Sequence, residues 1–286
     1  MEKLAYRFKN GVYQHNSRKV IFVGDFIDRG PKIRETLQLV KTMVEKGSAL
    51  AVMGNHEYNA ICYHTKDKNG NYLREHTPGN TYEHKRTLEE FTRSPGEFDE
   101  YIQWFKSLPL YLELDGLRVI HAYWSINHIR NLKRMAKLYS NQEDFINRSA
   151  IKSNIEYNIV DELLKGKEIE LPNDISFVDK NGIIRNKARV RWWLQPDHLT
   201  FKNYALGGEF PDTPLPQNFT ESLEYYNPAD VPVFFGHYWF EGPVKLATTN
   251  SCCLDFSVAG GGKLAAYRWD GEKQLDNNKL VYVSTN

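Results

Sequence analysis

Val20-Ile21-Phe22-Val23-Gly24-Asp25-Phe26-Ile27-Asp28-Arg29-Gly30-Pro31 packs two carboxylates and a guanidinium into a turn behind a short apolar run. The run Val20 to Val23 is rich in β-branched residues and ends at glycine, which predicts a buried strand. Pro31 and the pattern Ile33, Leu37, Val40, Val44 predict a helix beginning after the turn. Asp25 then stands at the carboxyl end of a strand, where open α/β sheets bind ligands and where a carboxylate is placed to hold a cation. A second unit repeats the arrangement. The apolar run Ala49 to Met53 is followed by Gly54-Asn55-His56-Glu57, again a strand end delivering polar side chains into a turn.

Two further strand ends carry imidazoles. Asp115-Gly116, flanked by Tyr111-Leu112-Glu113-Leu114 and Leu117-Arg118-Val119-Ile120, predicts a hairpin whose second strand runs into His121. Val231-Pro232-Val233-Phe234-Phe235 predicts a strand that ends in Gly236-His237. Around these units, residues 1–18 read as a loop or weak hairpin at Asn10-Gly11. Residues 63–95, polar and without clean periodicity, read as a long surface insertion. Glu97 to Leu108 suits an amphipathic helix ended by Pro109. A second insertion over 126–188 begins with charged helical sequence, in which Arg130, Lys133, Arg134 and Lys137 read as a solvated face rather than an anion patch. It closes with a hairpin around Asp179-Lys180-Asn181. A loop is expected over 205–219. The tail predicts strands at Val244 to Ala247, Cys252 to Phe256 and Lys263 to Trp269. No repeat or linker divides the chain, so one domain is expected over 1–286.

The 286 residues suffice for a substantial core, and a net charge of +1 with 26% charged residues predicts no electrostatic footprint for a nucleic acid polymer or an anionic membrane. The three cysteines, Cys62, Cys252 and Cys253, give no disulfide framework and suggest a reducing compartment. No apolar stretch approaches the roughly 18 residues of a membrane span, and the first residues lack a signal-peptide core, so a cytoplasmic location is expected.

Asp25, Asn55, His121 and His237 mix oxygen and nitrogen donors, a set suited to Mn, Fe or Zn rather than to an all-oxygen Ca or Mg cage. His56 is a candidate general acid, with Asp28 to orient it, because imidazole titrates near neutral pH. Arg29 offers a planar fork for phosphate oxygens; alternatively it pairs with Asp28 and merely stabilises the turn.

Gly24 to Gly30 and Gly54 to Glu57 resemble the Gly-Asp-x-x-Asp-Arg-Gly and Gly-Asn-His-Glu motifs of calcineurin-like metallophosphoesterases of the bacterial phosphoprotein-phosphatase type. His121-Ala122, Gly236-His237, Cys253-Leu254-Asp255 and Gly261-Gly262-Lys263-Leu264 extend the resemblance over about residues 19–269. It implies an α/β fold, an αββα sandwich of two mixed sheets flanked by helices. It implies two metals bridged by Asp25, the second completed by Asn55, His121 and His237. Asp28 with His56 would protonate the leaving group, Arg29 would bind the phosphoryl group, and Arg189 or Arg191 could supply a further arginine. The implied reaction is in-line attack by metal-activated water on a phosphomonoester, as in a phosphoprotein phosphatase. The alternatives are a dinucleoside polyphosphate substrate or an inactive phosphate-binding remnant. Manganese is the expected metal, with Fe, Zn or Co as options.

The resemblance departs at one point. The family's opening Gly-Asp-x-His-Gly, whose Asp and His bind the first metal, does not precede Asp25, and residues 1–23 contain no aspartate. The expectation is a chain cut at its amino end, with the first strand missing, at most one tightly held metal and slow turnover.

Overall fold

The computed structural model describes residues 1–285, apart from 138, 140, 173, 174, 180, 181, 196–198, 217–219, 221 and 222. An amino-terminal hairpin pairs β1 (Arg7–Lys9) with β2 (Val12–Gln14) across Asn10-Gly11, both at positive φ. The strand expected at Val20 is β3 (Val20–Phe22). Helix α1 (Ile33–Glu45) follows it and buries Ile33, Leu37, Val40 and Met43 at helical spacing. β4 (Ala49–Ala51) pairs with β3 in parallel, Val20 opposite Ala49 and Phe22 opposite Ala51. Among the described residues β3 has no strand on its other edge. Then come α2 (Asn55–His64), α3 (Pro78–Phe91) and α4 (Pro95–Ser107), and the hairpin of β5 (Tyr111–Leu114) and β6 (Leu117–Ile120) around Asp115-Gly116.

Helices α5 (Ile126–Met135), α6 (Gln142–Ser149) and α7 (Ile155–Lys165) bear out the helical reading of the second insertion. Strands β7 (Glu168–Glu170), β8 (Phe177–Val178), β9 (Ile184–Arg185) and β10 (Lys187–Val190) follow, with β8 and β9 forming the expected hairpin; its turn residues 180 and 181 lie outside the described residues. The expected loop over 205–219 instead opens with a short strand, β11 (Ala205–Leu206), after the single turn α8 (Phe201–Tyr204), and its residues 217–219 lie outside the described residues. The chain ends with β12 (Val233–Phe235), β13 (Ser251–Cys253), β14 (Asp255–Phe256), β15 (Lys263–Tyr267) and β16 (Leu280–Ser284).

A four-stranded mixed sheet has the order β13-β12-β6-β5, and the N–H of Met53 donates to Pro109 O at 2.9 Å, tying the end of β4 to the approach of β5. The second sheet, β14-β15-β16, is antiparallel throughout rather than mixed, because its consecutive strands are joined without a crossover helix. Side chains alternate along each strand and sort onto its two faces. Val52, Val119, Phe234 and Cys252 pack with Tyr267, Trp269 and Leu280 between the sheets. On the opposite face Ile120, Phe235 and Cys253 meet Trp192, Trp193 and Leu163, while Ala51 and Met53 meet Leu37, Ile61 and Phe105. Both faces of these strands are therefore buried, and their carboxyl ends are the places where polar side chains can emerge.

Two expectations are corrected. Residues 244–247 form no strand; the last sheet takes its third strand from β16, which the sequence reading did not find. The stretch 63–95 is not a loop: its second half is α3, capped by the Thr77 hydroxyl, which accepts from Asn80 N at 3.2 Å, with Pro78 at the first helical position. Its buried positions are His84, Thr87 and Phe91, helical in spacing but largely polar, so apolar periodicity does not register them.

Candidate active site

Four strand ends converge. Gly24 and Gly54 let the first two turns touch: a Cβ on Gly24, which sits at φ +90°, would lie 2.6 Å from Gly54 N and 2.9 Å from His121 Nδ1. Glu57, at the first turn of α2, ties the turns together. Its carboxylate accepts from Asp25 N at 2.8 Å, Phe26 N at 2.7 Å and Gly54 N at 2.9 Å, and is fully buried. Burial and the neighbouring Asp25 carboxylate push the Glu57 carboxyl up to about 7, against the N–H groups of Phe26 and Asp25, which favour its charged form. Asp25 and Asp28 both have positive φ, 61° and 74°, in the left-handed region where aspartate is tolerated better than most residues.

On one side of this turn lie Asp25, Asn55, His121 and His237. One donor atom each from Asp25, His121 and His237 lies within 4.8 Å of the others. Asn55 Oδ1 sits between the rings, 3.1 Å from His121 Nε2 and 2.9 Å from His237 Nδ1, and His121 Nε2 is 3.3 Å from Asp25 Oδ1. His121 donates from Nδ1 to Val23 O at 2.6 Å, which fixes its tautomer and aims Nε2 at the cluster.

Burial alone would lower the His121 pKa; the Asp25 carboxylate overcomes it and pushes the imidazole up to about 9. The Asp25 carboxyl is held well below its ordinary range, burial being outweighed by His121 and His56. Burial, then His121 and Arg189, hold His237 well below the usual histidine range, so its ring is neutral. Its Nε2 is buried with no hydrogen-bond partner. A carboxylate, an amide oxygen, an imidazole aimed by its backbone bond and a neutral imidazole with an orphaned nitrogen fit a divalent cation. Among the described residues this is the one cluster of three or more His, Cys, Asp or Glu donors so arranged.

On the other side, His56 Nδ1 donates to Asp28 Oδ2 at 2.7 Å, and Arg29 Nε donates to His56 Nε2 at 3.2 Å. These partners make His56 the neutral Nδ1–H tautomer. Burial lowers the His56 pKa, but Asp25 and Asp28 more than offset it and raise it. Arg29 is therefore not a simple ion-pair partner of Asp28. Its guanidinium lies over the Trp239 ring, 4.1 Å from the centroid, a cation–π contact that sets its plane.

The other oxygen of Asp28 is held by residues that sequence reasoning missed. Oδ1 accepts from His84 Nδ1 at 2.6 Å and from the Thr87 hydroxyl at 2.6 Å, and the same hydroxyl accepts from Asp28 N at 3.0 Å. Despite burial, the hydrogen bonds from His56 and His84 hold the Asp28 carboxyl down to about 2, from an ordinary value near 3.8. A depressed carboxyl stabilises the folded chain above the unfolded value and loses that contribution as pH falls through the folded one. Stability of the wild type should therefore fall between pH 4 and 2 more steeply than that of Asp28→Asn in urea titrations; parallel curves would remove Asp28 as the cause.

The two candidate arginines separate. Arg189 Nε is buried without a hydrogen bond, its nearest carboxylate Glu168 Oε1 at 3.9 Å, and its charge is felt by His237 and Tyr238. Arg191 turns elsewhere, donating from Nη1 to Asn203 O at 2.9 Å and Ala205 O at 2.6 Å.

A strand-end cluster with metal-donor chemistry beside a His–Asp pair and a stacked arginine defines a phosphoester-hydrolase type of site. The chain belongs to the calcineurin-like phosphoesterases, whose family model matches residues 2–238, and it is accordingly a hydrolase. An asymmetrical bis(5'-nucleosyl)-tetraphosphatase of Oceanobacillus iheyensis is 33% identical over 125 residues, covering 43% of this chain and 48% of that protein. The chain thus matches about half the length of that relative. A symmetrical bis(5'-nucleosyl)-tetraphosphatase of Methylobacillus flagellatus is 24% identical over 259 residues, covering 89% of this chain and 83% of that protein. A solved protein serine/threonine phosphatase from Saccharomyces cerevisiae, described as similar to human PP5, matches with a TM-score of 0.41 and 13% identity, covering 95% of this chain and 71% of that one.

Proposed function

We propose that the protein hydrolyses a dinucleoside polyphosphate, with Asp25, Asn55, His121 and His237 holding a divalent metal, manganese first among Mn, Fe, Zn and Co. The observation that carries the site reading is the convergence of these four side chains around Asn55 Oδ1. The names of the relatives support the substrate class. Bound there, a divalent cation supplies Lewis acidity toward a phosphoryl oxygen and toward water. The chain's own residues do the rest. Arg29 and Arg189 bind phosphate oxygens, the first as a flat fork already set by Trp239. When Arg29 turns to phosphate it releases His56 Nε2, which can then carry the proton that the leaving oxygen needs, while Asp28 keeps the ring oriented through Nδ1. Arg191, engaged with backbone carbonyls, is left out of this role. Three buried free cysteines support a cytoplasmic setting, and no helix of the described residues is long and apolar enough to cross a membrane.

The match of the Gly24–Gly30 motif to the phosphoprotein-phosphatase type favours a second reading, a phosphomonoester substrate. Diadenosine tetraphosphate and p-nitrophenyl phosphate, each with added Mn²⁺, separate the two. The first reading expects the higher kcat/KM on the dinucleotide, with ATP plus AMP or two ADP as products. His56→Ala should lower kcat by about 10²- to 10⁴-fold on the preferred substrate. Activity on p-nitrophenyl phosphate alone would move the assignment to phosphomonoesters, and an inert wild type that is folded and holds metal would overturn both.

Because the described residues hold one such donor cluster, one tight metal per chain is expected for residues 1–286. Elemental analysis after dialysis should give about one equivalent; two would show that other residues rebuild a second site.

A further inference from the structure

We infer that His84 and Thr87 of α3 are positioning residues for leaving-group protonation: they grip Asp28 so that its free oxygen holds His56 in one orientation. The inference rests on the proposed role of His56 as the acid.

A carboxylate has two oxygens and can swing about its last bond. Asp28 Oδ2 meets His56 Nδ1, while Oδ1 is claimed twice, by His84 Nδ1 and the Thr87 hydroxyl. With both partners on Oδ1, rotation of the carboxylate would break two short bonds. The hydroxyl that donates to Oδ1 also accepts from Asp28 N, so one side chain fixes both the carboxylate and a backbone held at φ 74°. All three residues are buried: Asp28 is 8% exposed, His84 2% and Thr87 0%. Water therefore cannot easily replace a lost partner. His84 is backed by His64, whose Nε2 lies 3.2 Å from His84 Nε2, and by the ring of Phe98, 5.8 Å from its own. The helix is fastened to the motif at two further points: Arg86 Nη1 donates to Arg29 O at 2.6 Å, and Glu90 accepts from Ile33 N and Arg34 N at 3.2 and 2.6 Å, at the N-terminus of α1. The insertion thus reaches the proposed acid through a chain of buried, directed contacts.

The test compares His84→Leu, which keeps bulk but removes the donor, with His84→Asn, whose amide nitrogen can take the place of Nδ1. Thr87→Val removes the hydroxyl at constant shape. Each is assayed with Mn²⁺ on aryl phosphates of graded leaving-group pKa. A poor leaving group needs the proton and a good one does not. His84→Leu and Thr87→Val should therefore lose about 10-fold or more in kcat on phenyl phosphate and less than about 3-fold on p-nitrophenyl phosphate, with KM little changed, and His84→Asn should recover most of the loss. An equal loss on all substrates, or no recovery by asparagine, overturns the inference. Nitrogen-15 imidazole spectra give a readout that needs no turnover. His56 in wild type should show a single Nδ1–H tautomer, and His84→Leu should show exchange averaging at His56 with unchanged circular dichroism. If the spectra change as expected in a wild type that lacks activity, the acid role fails while the grip stands. If the wild type is active and His56 is indifferent to His84→Leu, the grip fails while the acid role stands.

Discussion

Asp25→Asn should abolish tight metal binding and lower kcat by about 10³-fold or more. Asparagine keeps the shape and tolerates the left-handed backbone that Asp25 occupies at φ 61°, so the fold has no reason to change. What is lost is the charge. Asp25 supplies the only carboxylate of the donor cluster, and its Oδ1 faces His121 Nε2 at 3.3 Å. Without that anion a cation meets an amide and two imidazoles that are costly to charge in a buried site. Titration calorimetry with Mn²⁺, alongside turnover, checks both halves. A variant that binds one equivalent as tightly as wild type would remove Asp25 from the metal site, whatever its rate.

Glu57→Gln should give the largest loss of stability. Its carboxylate accepts three backbone N–H groups from two different turns, at 2.7 to 2.9 Å, with no exposure to water. An amide offers one oxygen, and its NH₂ must then face an N–H donor. Leaving a buried N–H donor unpaired, and setting it against the amide's own NH₂, costs about 2–4 kcal/mol, a large share of the stability of an ordinary domain. The melting temperature should fall on the order of 10 °C, and metal affinity should fall with it, because the turns that Glu57 joins carry Asp25 and Asn55. A melting temperature within 2 °C of wild type would show that these N–H groups find other partners.

How much of this was legible follows from what each element is made of. β3, β4, β6 and β12 are short apolar runs ended by glycine or by a polar residue, and such runs announce both strand and strand end. The candidate ligands Asp25, Asn55, His121 and His237 could thus be named from sequence and are found together. Helix α3 was hidden because its buried face is His84, Thr87 and Phe91, two of them polar. Burial there serves a carboxylate rather than an apolar core, so hydrophobic periodicity had little to register. Thr77-Pro78 was a legible helix start, a capping hydroxyl followed by proline, in a stretch read as loop for its lysines, asparagines and glycines. Trp239 over Arg29 left no trace either, since it is one of three consecutive aromatics, Tyr238-Trp239-Phe240, and nothing in their spacing singles it out. Arg189 and Arg191 looked equivalent. Arg189 lies in β10 and Arg191 just past its end, both odd-numbered, so alternation cannot separate them; the backbone carbonyls of Asn203 and Ala205 decide which one is occupied.

Helix α3 also bears on how such a scaffold can change its substrate. A segment inserted between strand ends is ordinarily the part that can be exchanged, because it rests on the core without sharing its chemistry. Here the same fourteen-residue helix supplies the grip on Asp28, the anion at the start of α1 and a contact to the Arg29 carbonyl. Grafting a foreign segment over 63–95 would carry away both partners of Asp28 Oδ1, so on the inference above a graft needs a histidine and a threonine returned to the places of His84 and Thr87. In this chain the inserted helix and the strand-end motif are held as one unit, and point changes on the outer face of that helix disturb the motif less than exchanging the helix.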